Sequence, residues 1–89
     1  MTDMQAILDE REKTHGRFAD VASFFATRAM DAFRAYDAGR LNATQFTTLV
    51  MDEMKNARIL AGDPYVAEHW QDKAGYSLLV VRELEGRGE

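Results

Sequence analysis

The residues with the most chemistry to offer lie between Lys55 and Tyr76. Lys55 and Arg58 stand three positions apart, a spacing that places both on one helix face. His69, Asp72, Lys73 and Tyr76 follow at three- and four-residue intervals, so they share a face as well. Between the two sets lies Gly62-Asp63-Pro64, a tight turn that folds the second helix back beside the first. Two cations, a histidine, a carboxylate and a tyrosine would then line one groove. Guanidinium and ammonium groups hold phosphate oxygens, and aromatic rings stack on bases. Arg11 and His15 complete the candidate ligand-binding set of Arg11, His15, Lys55, Arg58, His69, Asp72 and Tyr76. In this reading the cations take the phosphates and Tyr76 or His69 faces the base or sugar. Asp72 orients a cation or accepts a hydroxyl proton.

Each residue also has a plain structural reading. Lys55 and Arg58 solvate a helix. Asp72 pairs with one of them across the hairpin, worth at most about 1 kcal/mol at an exposed site. Trp70 anchors a core, His69 is a satisfied surface histidine, and Tyr76 sits in the core with its hydroxyl at the rim.

Other chemistries find less support. With no cysteine there is no disulfide framework, thiol nucleophile or zinc ribbon. Ser23 and Ser77 lack the glycine elbow of an acyl-transfer nucleophile, and no phosphate-cradling glycine loop occurs. No His-Glu-x-x-His or EF-hand pattern is present. Asp52 with Glu53, and Glu68 with Asp72, are carboxylate pairs that suit magnesium only with further oxygen ligands. We therefore expect no catalytic residue, no resident metal and no cofactor, although these pairs could hold a hard cation such as magnesium.

The elements that must position the set are helical. Helix one is expected to start with Thr2 or Asp3 as N-cap, carry Met4, Ile7 and Leu8, and end near His15-Gly16. Helix two runs from about Phe18 or Asp20 to Asp37, with Val21, Phe24, Phe25, Met30 and Phe33 inward and Gly39 behind it. Helix three starts at the N-cap Asn42 and runs to Ala61, with Phe46, Leu49, Val50, Met54 or Ala57, and Leu60 inward. Helix four spans about Tyr65 to Leu84, with Ala67, Trp70, Ala74, Leu78 and Val81 on a 3.6-residue period. Gly75 inside it costs about 1 kcal/mol against alanine, which points to close backbone approach by another helix or a ligand. No strand alternation persists.

At 89 residues and 10.1 kDa the chain makes a single all-α domain, 1–89, with a frayed tail at 85–89. So short a chain buries only about 60–65% of its unfolded surface, so self-association into a homo-oligomer would help it. The net charge of −4 argues against general nucleic-acid binding. The N-terminus lacks a signal-peptide pattern, and no run approaches the roughly 20 apolar residues of a membrane span. The expected location is the cytoplasm, with no membrane partner.

Two blocks carry a family resemblance. The segment A-R-I-L-A-G-D-P with H-W-x-D-x-A-G-Y, and the opening I-L-D-E-R-x-x-T-H-G-x-F-A-D-V-A, resemble a family of small phage and prophage proteins whose domain has no assigned function. Together they cover roughly half the chain; the middle, from about Ser23 to Met54, departs more. The K-x-x-R helix followed by D-x-x-G-Y also looks like domains found near phage nucleotide-modification genes. More distantly it is similar to the MazG-like all-α nucleoside triphosphate pyrophosphohydrolases, which cleave NTP to NMP and pyrophosphate with magnesium held by acidic helices. Only Asp72 matches an acidic ligand of that pattern, with Glu68 at a different spacing, so this resemblance implies nucleotide proximity rather than catalysis. The leading expectation is a phage-encoded accessory protein that binds a nucleotide or nucleotide-like phosphate ligand without hydrolysis, in the host cytoplasm. The alternatives are a small acidic phage protein that inhibits or redirects a host protein, and a weak magnesium-dependent NTP pyrophosphohydrolase.

Overall fold

A computed structural model describes residues 2–86, and among them there are helices and turns but no strand. In chain order these are α1 (Thr2–His15), α2 (Phe18–Asp37), α3 (Ala43–Ala61) and α4 (Ala67–Leu84). The all-α expectation therefore stands. The expected frayed tail lies mostly outside the described residues.

Local chemistry accounts for most of the boundaries. Asn42 caps α3 through a reciprocal pair: its Oδ1 accepts from the Gln45 N–H at 2.7 Å, and Gln45 Oε1 accepts from the Asn42 N–H at 2.9 Å. The Gly62 N–H closes α3 on the Arg58 carbonyl at 2.8 Å. Beyond it, Asp63 Oδ1 accepts from the Tyr65 N–H at 2.9 Å. That Asp-centred turn holds Tyr65 out of helix, so α4 begins at Ala67 and not at Tyr65, with Val66 as N-cap. At the other end of the chain α1 already includes Thr2 and Asp3, so neither is its cap.

Helix α3 is the hub. Helix α2 packs along one side of it and α4 along another, while α1 touches α3 and α2. Among the described residues α2 and α4 do not meet. The α2–α3 seam is apolar. Val21, Ala32 and Ala57 are buried, Phe24, Phe25 and Phe46 are half-buried, and Tyr36 stacks on Phe46 with ring centroids 4.7 Å apart. Met30, Phe33, Leu49 and Leu60, expected inward, are exposed, because helices on only two sides of α3 leave the flanks of the seam open.

The α3–α4 seam is polar, as the facing of Lys55 and Asp72 leads one to expect, but the apolar stripe of α4 is not buried with it. Lys55 Nζ meets Asp72 Oδ2 at 2.6 Å, Lys73 Nζ meets Asp52 Oδ1 at 3.3 Å and also reaches Asn56 Oδ1, and the Thr44 hydroxyl donates to Glu83 at 2.8 Å. These pairs turn the charged face of α4 inward. The apolar stripe is then left on the outside: Trp70 is 51% exposed, Leu78 57% and Val81 45%. Trp70 is thus not a core anchor of the subunit. Its indole N–H donates to the Pro64 carbonyl at 2.8 Å. Gly75 does not serve close packing within the subunit either, since a Cβ there would meet nothing within 4 Å.

The end of α1 is locked to the end of α3. Gly16 has φ +80°, and a Cβ on it would stand 2.6 Å from the Ala61 backbone. A Cβ on Gly62 would stand 2.5 Å from the Thr14 carbonyl oxygen. That carbonyl accepts from the Asp63 N–H at 3.1 Å and from His69 Nε2 at 3.2 Å. One backbone oxygen of α1 thereby ties down the end of α3 and the start of α4. His69 is 2% exposed, so the surface-histidine reading is overturned: the tie needs its ring inside.

Candidate functional site

The candidate residues divide among separate places. Lys55 and Asp72 come together, as their spacing predicts, but as a closed ion pair, with the Lys55 side chain only 12% exposed. Its ammonium already has its counter-charge. His69 sits inside the α1–α3–α4 joint, its ring edge-on to His15 at 5.2 Å. Tyr76 lines a different depression, beside Thr44, Thr47, Met51 and Leu79. Glu68 is exposed. Asp52 and Glu53 are taken by Lys73 and Arg28, the latter pair at 3.2 Å. Among the described residues no cluster of histidine and carboxylate side chains is large enough to hold a metal ion.

Arg11, His15 and Arg58 line one cleft of about 310 Å³ between α1, α2 and α3. Lys55 and Arg58 are three apart on α3. Lys55 turns to α4, where it pairs with Asp72, and Arg58 turns to the cleft that it shares with α1. Arg11 and His15 project from the last turns of α1, four residues apart and therefore on one face. Leu8, Phe18, Val21 and Met54 give the cleft an apolar wall, and Glu12 supplies a carboxylate at its edge. Phe18 is 78% exposed and stands open to solvent beside it.

The electrostatics favour an anion. Among the described residues neither Arg11 nor Arg58 has a carboxylate within ion-pair distance. Burial pushes the pKa of His15 below the ordinary imidazole value, and the Arg58 charge pushes it further down. A backbone hydrogen bond at Arg11 opposes the shift, while the neighbouring His69 and the Arg11 charge add to it. The Thr14 hydroxyl lies 2.7 Å from His15 Nδ1 and holds the ring beside the cleft. The cleft therefore presents two guanidiniums without a carboxylate partner among the described residues, next to an imidazole whose pKa is held down by burial and by the Arg58 charge.

Sequence reasoning missed the cleft walls, although Leu8 shares the Arg11–His15 face at i, i+3 and i+7. It also missed Thr14, whose hydroxyl meets His15 and whose carbonyl oxygen, a contact that leaves no mark in residue type, accepts from His69 and Asp63. Comparison with protein-family models, with curated proteins and with solved structures finds no match to this chain.

Proposed function

We propose that this chain binds a phosphate-bearing ligand of mononucleotide size in the α1–α2–α3 cleft and does not hydrolyse it. The observation that carries the reading is the pair of guanidiniums, Arg11 and Arg58, lining one cleft without a carboxylate partner among the described residues. Arginine forks match phosphate oxygens bidentately. The apolar wall suits a planar base, and the exposed Phe18 ring offers it a stacking surface. Glu12 can accept a hydrogen bond from a sugar hydroxyl. At about 310 Å³ the cleft stands at the low end of the roughly 300–1,000 Å³ of ligand pockets, which favours one nucleotide over two. Among the described residues Glu12 is the only carboxylate lining it, which supports binding over metal-assisted cleavage.

Calorimetry with nucleoside mono-, di- and triphosphates, beside inorganic phosphate and unphosphorylated nucleosides, tests this. Loss of a charge-assisted hydrogen bond costs about 1.5–3 kcal/mol. Arg58→Ala and Arg11→Ala are each expected to weaken binding by about 10- to 150-fold. Lys55→Ala, whose cation serves Asp72, is expected to leave affinity nearly unchanged. No binding of any phosphate compound by the wild-type chain refutes the proposal.

A further inference from the structure

The outward face of α4 is built for cover. Trp70, Leu78 and Val81 are about half exposed, and Ala67, Ala74 and Gly75 beside them are exposed too. The polar face of the same helix is spent against α3. This is the reverse of how a surface helix of a lone globular subunit is arranged. Apolar surface also continues past α4, because Trp70 shares a groove with Phe24 and Leu60, the latter 68% exposed, beside the charged Arg28, Glu53 and Lys73.

The surface area gives the size of what is missing. A monomer of this mass is expected to expose about 5,300 Å². The chain exposes 6426 Å², an excess of about 1,100 Å² over that scaling. A stable protein–protein interface takes about 800 Å² from each partner. The shape agrees. The radius of gyration is 15.3 Å, against about 12 Å for a compact domain of this length.

We propose that the α4 stripe is the self-interface of a symmetric homodimer, in which α4 of one copy packs on α4 of the other around Ala74 and Gly75. A two-fold contact requires one patch to complement itself. The apolar side chains of the stripe, Trp70, Leu78 and Val81, do so without setting like charges together, although each chain carries a net charge of −4. Small residues at Ala67, Ala74 and Gly75 let two helix backbones approach closely, which gives Gly75 the neighbour that the single subunit withholds. Trp70, held by its hydrogen bond to Pro64, presents a fixed ring, the kind of side chain that anchors interfaces. This inference stands apart from the ligand reading, because it uses no residue of the α1–α2–α3 cleft.

Sedimentation equilibrium of the full chain, with emission of its one tryptophan followed on dilution, tests it. The expected result is a dimer at micromolar concentration whose Trp70 emission shifts red as it dissociates. Leu78→Glu is expected to weaken the dimer at least 100-fold while circular dichroism stays helical, since Leu78 packs little within the subunit. Should that variant fail to fold, single cysteines in the otherwise cysteine-free chain decide. Ala74→Cys is expected to cross-link to its own copy through a short bis-maleimide, and Arg40→Cys, in the α2–α3 loop, is not. A monomer at every concentration overturns the proposal. So does a dimer indifferent to Leu78→Glu, equal cross-linking at both positions, or a different protein holding the stripe.

Discussion

Replacing Gly16 with alanine puts a methyl group where the end of α3 already stands. Two costs arise. The first is backbone: at φ +80° an L-residue pays about 1–2 kcal/mol. The second is steric. The new Cβ would lie 2.6 Å from Ala61 C and Cβ and 2.7 Å from Ala61 O, and neither helix end can yield by a simple rotamer change. Overpacking of this kind costs about 1–3 kcal/mol. The sum, about 2–5 kcal/mol, is a large share of the roughly 4–13 kcal/mol that a chain of this length commands. Gly39 supplies the control. Its φ is +78°, and a Cβ there meets nothing within 4 Å, so Gly39→Ala pays the backbone cost alone. Urea and thermal unfolding of both variants at equal concentration isolate the clash. Gly16→Ala is expected to be less stable than Gly39→Ala by about 1–3 kcal/mol, or about 5–20 °C in Tm. It should also lose phosphate binding, because the cleft exists only while α1 is held against α3. Equal destabilisation by the two substitutions refutes the lock.

Asp72→Asn leaves the mostly buried Lys55 ammonium without its counter-charge and should cost about 1–3 kcal/mol in urea unfolding, with ligand affinity unchanged. Asn42→Ala removes one arm of the α3 capping box outright and should cost about 1 kcal/mol, read by the same titration. His15 has a folded pKa below its unfolded value of about 6.5. Between those values the unfolded chain holds the extra proton, so the contribution of His15 is complete above about pH 6.5 and declines as pH falls through it. His15→Gln should flatten that part of the stability profile. A bound phosphate raises the imidazole pKa, so affinity is expected to increase as pH falls through the same range, measured by calorimetry in buffers of different ionisation enthalpy.

Three helix ends were legible because they are local. Asn42, Gly39, and Gly62-Asp63-Pro64 each satisfy or terminate backbone hydrogen bonds within a few residues, and the structure uses them so. The pairing of Lys55 with Asp72 was legible for the same reason: a short turn and helical spacing leave little freedom. The exposure of the apolar stripe of α4 was not. A 3.6-residue period says which side chains share a face, not what covers the face. Ion pairs with Asp52 and Lys55 turned the polar side inward, and the period is identical either way. His69 was misjudged on the same ground, since its place on the polar face reads as exposure only if that face is outside. The candidate groove divided because Lys55 and Arg58, neighbours on α3, are offset enough around the helix to serve different partners. Only the position of α1, set by the Gly16–Gly62 approach, decides that Arg58 belongs with Arg11 and His15.

A nuclear magnetic resonance titration of the 15N-labelled chain with a nucleoside monophosphate shows whether a phosphate-bearing ligand enters the α1–α2–α3 cleft. It observes the arginine Nε–H groups and the histidine rings together with the backbone. The expected result is saturable movement of the Arg11 and Arg58 side-chain resonances and of the His15 ring, with the backbone amides of Leu8, Phe18 and Met54 following. The resonances of Lys55, Asp72 and Tyr76 should stay in place. No saturable change, or change centred on the Lys55–Asp72 pair or on Tyr76, contradicts binding in this cleft.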